Sequence, residues 1–323
     1  MDVRKALFAL AAVLVAGCGP GVRPESRWEG MTVSLEPDAV MGSIGSGHGQ
    51  FFEPGGVAVD PKDGKDLIYV ADSGNQRVQY LNHAGDFLKQ IGRFGVGRAD
   101  FNKPYSLAVE GGHYIFVVDR DNHRIQQFDV RGVFVRAYPD AGRSDVKLRF
   151  PEGVALNGFG ELFVADTWND RVVRFDRAGS VLGILGGFGQ GRGFMNRPSG
   201  VAIDSEDNLY VADTRNDRIQ KFNFRGDYLL SFGSKGSATG CFDEPMAVAA
   251  GGDGLVAVAD FNNGRVQVFS SGGRFLAEAG ELDGPIRGPR GVAISGDRLY
   301  VVDSGNSRIL RFRITVKRES GGP

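Results

Sequence analysis

An eleven-residue frame recurs six times along the chain and constrains the fold more than any other feature of the sequence. Its clearest copy, ADTWNDRVVRF, occupies residues 165–175, and successive copies are 47 residues apart except for a last interval of 43. Each copy carries an aspartate and, five positions later, an arginine: Asp72 and Arg77, Asp119 and Arg124, Asp166 and Arg171, Asp213 and Arg218, Asp260 and Arg265, and Asp303 and Arg308. A catalytic group is needed once, so a polar frame present six times predicts a repeated architecture.

The polar residues of the frame have a structural interpretation. In turns, aspartate accepts backbone N–H groups, asparagine tolerates a left-handed backbone, and arginine pairs with an acid. The frame lacks the alternating oxygen ligands, the glycine and the distant glutamate of an EF-hand calcium loop. We therefore expect its aspartates and arginines to hold the turn between two strands.

Each repeat also contains four short apolar segments separated by turn sequences. In the fourth repeat they are GVAID (200–204), LYVAD (209–213), RIQKF (218–222) and YLLSFG (228–233). Four such segments form an antiparallel meander, and six meanders bury both their faces only by stacking on one another. The sequence thus predicts an all-β, six-bladed β-propeller with four-stranded antiparallel blades.

The two ends of the repeat region are incomplete in a complementary way. The segment DAVMGSIG (38–45) lies 47 residues before GDFLKQIG (85–92), so it has the form of a fourth strand without the three that should precede it. The last repeat ends with its third strand, RILRFRI (308–314). We expect the N-terminal strand to complete the last blade and to cover an edge that would otherwise be open.

The N-terminus has the features of an export signal. Arg4 and Lys5 precede an apolar run, residues 6–16, that is too short to span a bilayer. Val15-Ala16-Gly17-Cys18 resembles a bacterial lipobox, which implies cleavage before Cys18 and lipidation of that cysteine. We expect a signal peptide (1–17), a lipidated cysteine with a flexible tether (18–30), the propeller (31–314) and a loose tail (315–323). The protein would be an exported membrane lipoprotein facing the periplasm or the cell exterior.

The charge of the chain bears on its partners. Removal of residues 1–17 takes away Arg4, Lys5 and Asp2 and changes the formal charge from −1 to −2. A nearly neutral chain argues against nucleic acid as a partner, because that binding depends on clustered positive charge. We expect a monomeric propeller that binds a protein, peptide or glycan in the cell envelope.

The repeats resemble those of the NHL family. PSGVAID (198–204) matches that family's Pro-x-Gly-Val-Ala-hydrophobic-Asp strand, and VADTRNDRI (211–219) matches its Val-Ala-Asp strand followed by an Asn-x-Arg-Ile turn. The resemblance covers about residues 38–313. It implies the propeller fold, but one propeller can host unrelated functions.

Function should reside where the copies differ on a shared surface. The start of each first strand should surround the mouth of the central channel, which places there Gly55, Tyr105, Glu152, Ser199, Met246 and Arg290. The variable turn residues near them are Arg120, His123, Trp168, Arg215 and Phe261. Because aromatic and arginine side chains dominate binding energies, this set predicts a binding face for a peptide, glycan or small molecule, although ordinary loop variation remains an alternative. The predicted function is a non-catalytic interaction or scaffolding module; a sensor or accessory subunit of an envelope assembly is an alternative.

A metal-dependent enzyme is the other alternative. The resemblance extends to amidating lyases with a zinc held by channel histidines and to lactonases with a metal held by carboxylates and an amide. Here His48, His83, His113 and His123 occupy non-equivalent places, and Glu152 is the sole acid among the mouth residues. Asp60, Glu110, Asn157 and Asp204 could form an axial cation site, but they also begin hairpin turns. We predict no cofactor and no catalytic residue.

Overall fold

The computed structural model describes residues 26–62, 65–140, 142 and 145–318. The predicted signal peptide and the lipidation site Cys18 lie outside the described residues. The chain begins with a 3-10 turn (Ser26–Trp28), the long strand β1 (Met31–Met41) and a short parallel pair, β2 (Ser43–Ile44) and β3 (Gln50–Phe51). No helix among the described residues is long and apolar enough to cross a membrane.

Five blades consist of four consecutive antiparallel strands each. Blade 1 contains β4 (Gly56–Lys62), β5 (Lys65–Asp72), β6 (Arg77–Leu81) and β7 (Phe87–Ile91). Blade 2 contains β8 (Pro104–Glu110), β9 (Tyr114–Asp119), β10 (Arg124–Asp129) and β11 (Phe134–Tyr138). Blade 3 contains β12 (Gly153–Leu156), β13 (Leu162–Asp166), β14 (Arg171–Phe175) and β15 (Val181–Gly186). Blade 4 contains β16 (Pro198–Ile203), β17 (Leu209–Asp213), β18 (Arg218–Phe222) and β19 (Tyr228–Phe232). Blade 5 contains β20 (Pro245–Ala250), β21 (Leu255–Asp260), β22 (Arg265–Ser270) and β23 (Phe275–Glu278).

Blade 6 is built from both ends of the chain. It contains β24 (Pro289–Ser295), β25 (Arg298–Asp303) and β26 (Arg308–Arg318), and its fourth strand is β1. β1 pairs with β26 from Met31↔Arg318 to Met41↔Ile309. The predicted six-bladed propeller and its closure by the N-terminal strand are confirmed.

The folded part extends beyond both predicted boundaries. Trp28, which we assigned to the tether, is only 3% exposed and packs among Leu255, Val292 and Ile314 of blades 5 and 6. At the other end, β26 continues to Arg318, so residues 315–318 of the predicted tail belong to a paired strand.

The burial of the strands follows their position in the blade. Second strands such as β13 (LFVAD) and β17 (LYVAD) are buried throughout, because neighbouring blades cover both of their faces. Fourth strands such as β15 alternate between half-buried and exposed residues, as expected of a strand with one solvated face. The hydrophobic clusters accordingly lie between adjacent blades, for example Tyr69 and Leu107 of blades 1 and 2.

The ring has two different faces. The junction face carries the starts of the first strands, the connections between blades and the turns between second and third strands. These turns are 3-10 turns in five blades: Ser73–Asn75, Arg120–Asn122, Thr167–Asn169, Thr214–Asn216 and Ser304–Asn306. The hairpin face carries the tight connections between first and second strands and between third and fourth strands.

Four of the connections between blades share one arrangement. Ile44 pairs with Phe51, Phe94 with Phe101, Phe188 with Met195, and Lys235 with Phe242. The second member of each pair is fully buried. Phe101 lies so close to Gly92 (φ +91°) that a Cβ there would come within 2.2 Å of the ring. The connection from blade 5 to blade 6 is shorter, in agreement with the interval of 43 residues, and borders a cavity of about 360 Å³ lined by Arg265, Glu278 and Ile286, among others.

Candidate functional site

The repeated frame joins each turn between second and third strands to the connection, or junction, that leads into the same blade. In blade 4 the buried Asp213 accepts the backbone N–H of Asn196 (2.7 Å), Nδ2 of Asn216 (2.9 Å) and Nε of Arg218 (2.8 Å). Arg218 also donates to the carbonyl oxygens of Gly191 and Phe194 in that junction. Burial raises the pKa of the Asp213 carboxyl, and these donors oppose the rise. The geometry therefore supports the structural interpretation of the frame.

One detail of the predicted turn is wrong. The left-handed residue is the one after the asparagine: Gln76, His123, Asp170, Asp217, Gly264 and Ser307 have φ between 51° and 63°. The asparagine instead uses Nδ2 to bind the frame aspartate, as Asn122 does with Asp119 (2.9 Å).

The residue after that asparagine contacts the next blade through its side chain. His123 occupies this position. Its Nδ1 accepts the backbone N–H of Phe150 at 3.0 Å. The side chains of Gln76, Asp170 and Asp217 accept the corresponding N–H groups of Lys103, Arg197 and Glu244. His123 thus contacts the next blade; it is also exposed, and its place in the binding face stays a prediction.

Five of the six predicted mouth residues line one cavity: Gly55, Tyr105, Glu152, Met246 and Arg290. Nη1 of Arg290 in blade 6 donates to the hydroxyl of Tyr105 in blade 2 (2.8 Å). The two side chains meet because blade 1, which lies between them, contributes Gly55 at this position. Arg290 also lies over the ring of Phe261, 4.8 Å from its centroid.

A second pair of side chains, from blades 2 and 3, lies beside the first, with the guanidinium carbon of Arg120 5.6 Å from the centroid of the Tyr105 ring. Nε of Arg120 donates to Glu152 (2.9 Å), and Nη1 of Arg120 donates to Asp121 (2.7 Å). Burial raises the pKa of Glu152, and the charges of Arg120 and Arg290 oppose this rise. Burial and the charge of Glu152 raise the pKa of Tyr105 to about 12.

The cavity between these side chains measures about 60 Å³. Pockets for drug-sized ligands typically measure ~300 to 1,000 Å³, so this cavity has room for water but not for a sugar or a peptide. Ser199, the sixth predicted mouth residue, is buried and donates to the carbonyl oxygen of Met246 (2.7 Å). Tyr105 is only 6% exposed. The mouth residues are therefore largely engaged with one another.

Trp168 stands apart from this closed mouth. The guanidinium carbon of Arg197 lies 3.8 Å from its ring centroid, and that of Arg149 lies 5.3 Å away. Among the described residues, neither arginine lies within ion-pair distance of a carboxylate. The ring of Phe150 packs beside the indole at 5.0 Å. Two positive charges on one half-buried indole, with no carboxylate of the described residues paired to them, form a surface suited to an acidic or aromatic group.

Arg149, Phe150 and Arg197 were missed by the sequence analysis. Phe150 and Arg197 directly precede two of the repeated prolines, Pro151 and Pro198, and have φ of +46° and +50°. The residue before the proline varies among the copies, and this variation is the signal that could have identified them: Glu53, Lys103, Phe150, Arg197, Glu244 and Gly288. Arg215, which we did predict, is exposed and pairs with Glu244 at 2.6 Å.

The candidate metal ligands make contacts within their own turns or with the neighbouring blade. Asp60 accepts the N–H of Gly112, Asn157 accepts those of Phe159 and Glu161, and Glu110 pairs with Arg177. Asp204 accepts the N–H groups of Glu206 and Asn208 within its own turn. Within the part of the chain that the structure describes, no three His, Cys, Asp or Glu side chains are grouped to hold a metal ion.

Comparison with known families supports the assignment of the repeats. The NHL repeat model matches residues 195–222, 242–269 and 287–312, which belong to blades 4, 5 and 6. The chain is a six-bladed β-propeller with NHL repeats in blades 4, 5 and 6. No curated protein matches its sequence.

Solved structures similar to this NHL-repeat propeller have diverse activities. A virginiamycin B lyase from Staphylococcus aureus is 16% identical, with 90% of this chain and 89% of that chain covered and a TM-score of 0.56. The aldose sugar dehydrogenase from Streptomyces coelicolor is 14% identical (88% and 99% covered, TM-score 0.60). A gluconolactonase from Xanthomonas campestris is 15% identical (91% and 100% covered, TM-score 0.61). At these identities the likeness concerns the fold alone.

Proposed function

We propose that this propeller is a non-catalytic binding module, tethered to the envelope membrane through a lipid on Cys18, that binds a protein, peptide or glycan on its junction face. The observation that carries the proposal is the group formed by Trp168, Arg149 and Arg197. It combines a half-buried indole with two arginines that lack a described acidic partner. Tryptophan and arginine are the residues that most often dominate binding energies.

The surroundings of this group support a broad contact surface. Exposed apolar side chains are frequent on the junction face: Ile44, Phe52, Phe94, Val96, Phe188 and Phe194. Phe188 is 74% exposed and belongs to the same junction as Arg197. Apolar side chains grouped with arginines and framed by polar turns are typical of an interaction site.

The state of the channel favours binding over catalysis. Tyr105 with Arg290 and Glu152 with Arg120 use their polar groups on each other, and the space between them is about 60 Å³. A substrate would have to break these contacts before it reached a buried acid. A partner that binds the outer part of the junction face leaves them intact.

The test is affinity capture of the tethered protein from its own envelope. Trp168→Ala should weaken capture of the partner by about 2 kcal/mol, roughly thirtyfold, because the aromatic anchor is lost. Leu229→Ala is the matched control, since Leu229 is an exposed apolar residue on the outer strand β19. Equal recovery of the partner by the Trp168→Ala and parent proteins would contradict the proposal, as would a stoichiometric zinc or calcium ion whose removal abolishes a catalytic activity.

A further inference from the structure

The described chain begins on the hairpin face. β1 is the fourth strand of its blade, and fourth strands run from the hairpin face to the junction face, so Met31 lies at the hairpin face. Trp28 is buried there, and its carbonyl oxygen accepts Nη1 of Arg274 (3.0 Å) from a hairpin of blade 5. Ser26, the first described residue, therefore lies at this face.

The length of that chain limits where a lipid on Cys18 could lie. Cys18 and Ser26 are eight residues apart, which corresponds to about 27 Å in a fully extended chain. β1 alone extends about 33 Å from Met31 to Met41, which lies on the side of the junction face. A lipid on Cys18 thus reaches a bilayer below the hairpin face but not one beyond the junction face.

The hairpin face presents apolar side chains at its tips. Val133, Phe159 and Phe224 are exposed in hairpins of three consecutive blades, and Phe159 is 67% exposed. Arg177 donates to the carbonyl oxygen of Phe159 (3.0 Å), and Arg174 donates to that of Phe224 (3.1 Å). These bonds hold the backbone at two of the tips in place.

Three arginines near the tips are paired with acids, while the guanidinium carbon of Arg225 lies 5.3 Å from the ring centroid of Phe224. Arg131 pairs with Asp129 (2.9 Å), Arg174 with Glu161 (2.5 Å) and Arg177 with Glu110 (2.5 Å). Contact of this region with lipid headgroups would therefore depend on the apolar tips more than on net charge. Aromatic side chains are favoured at the boundary between headgroups and acyl chains.

We propose that the propeller lies with its hairpin face on the bilayer and that Val133, Phe159 and Phe224 contact the lipid at the headgroup boundary. This orientation rests on the lipid anchor of the proposed function. It leaves the junction face, with Trp168 and Phe188, directed away from the membrane. A partner bound there lies in the aqueous space and does not compete with lipid.

The orientation can be tested by fluorescence with the full-length lipidated protein in vesicles of phosphatidylethanolamine and phosphatidylglycerol, with or without brominated acyl chains. Phe159→Trp places a reporter on the hairpin face. Phe188→Trp places one on the junction face at similar exposure, and thermal melting verifies that both variants fold. Brominated vesicles should quench the emission of Phe159→Trp more strongly than that of the parent protein. They should quench Phe188→Trp no more than the parent.

The outcomes separate the orientation from the anchor. If the parent protein and its Cys18→Ser variant both fail to sediment with vesicles, the lipid anchor is absent, and the orientation and the tethering part of the proposed function fail together. If the parent sediments but bromination quenches Phe188→Trp as strongly as Phe159→Trp, or quenches neither, the anchor stands and the orientation is wrong.

Discussion

Each frame arginine donates hydrogen bonds to the aspartate of its own blade and to the connection that leads into that blade. In blade 3, Nε of Arg171 donates to the buried Asp166 (2.8 Å), and Nη2 donates to the carbonyl oxygen of Lys147 (3.4 Å). Asp166 in turn accepts the backbone N–H of Arg149 (2.6 Å). The pair thus fixes the segment from which Arg149 reaches Trp168.

We expect Arg171→Ala to lower the free energy of unfolding by about 3 kcal/mol, because the buried carboxylate of Asp166 would lose its cationic partner. Chemical denaturation measures this change. Arg192→Ala is the control: Arg192 is exposed in a junction, and its loss should change the stability by less than about 0.5 kcal/mol. Unchanged stability of Arg171→Ala together with lost partner capture would overturn the structural assignment of the frame.

Single residues show where sequence reasoning reaches its limit. The turns of the frame could be predicted because their residues recur at a fixed spacing. The burial of Tyr105 could not, since it depends on Gly55 and Arg290, which are distant in sequence. The position of His123 as an interblade contact became visible only through its equivalents Gln76, Asp170 and Asp217.

At the scale of elements, the connections between blades combine a buried and an exposed side chain. In the connection from blade 1 to blade 2, Phe101 is fully buried while its bridge partner Phe94 is 71% exposed. Phe101 packs on Phe128 of blade 2, with 5.8 Å between ring centroids. One aromatic residue therefore stabilises the connection, while the other is left on the junction face.

Phe101→Ala should destabilise the protein by about 3 to 5 kcal/mol, as expected for the loss of a buried phenylalanine. Phe94→Ala, in the same connection, should change the free energy of unfolding by less than about 0.5 kcal/mol. Urea denaturation of both variants measures the difference. Equal effects of the two substitutions would mean that Phe101 does not stabilise the connection as described.

The shorter connection before blade 6 illustrates a partial prediction. The interval of 43 residues locates it in the sequence. The cavity beside this connection depends on how Ile286 packs. It could therefore not be predicted from the spacing of the repeats.

At the scale of the whole molecule, stability depends on joining the two ends of the chain. β1 buries Met41 against blade 1 and pairs with β26 along its length, while Trp28 covers the core between blades 5 and 6. Across this seam, Nη1 of Arg298 in blade 6 contacts the buried Asp66 of blade 1 (3.2 Å). The N-terminal strand is thus part of the ring and not an accessory to it.

Deletion of residues 26–41 should therefore lower the free energy of unfolding of the whole propeller by at least about 3 kcal/mol, because Trp28 and Met41 leave the core. The exposed edge of β26 should also promote association between molecules. Thermal melting and light scattering measure the two effects. A truncated protein that melts like the parent and stays monomeric would show that the ring does not need this strand.

The number of blades and the manner of closure could be predicted because they follow from repetition and from one missing strand at each end. The contribution of Trp28 could not, since the residues around it match no repeat. The contacts among the mouth residues likewise could not be predicted, because they depend on where these residues lie across the ring.

The pairing of β1 with β26 has a mechanical consequence. A pull on the chain ahead of Met31 acts along the strand, whereas its hydrogen bonds to β26 run across it. Under such shear the bonds share the force and must rupture together instead of one by one. A propeller held at this end could resist tension transmitted from a bound partner without opening its ring.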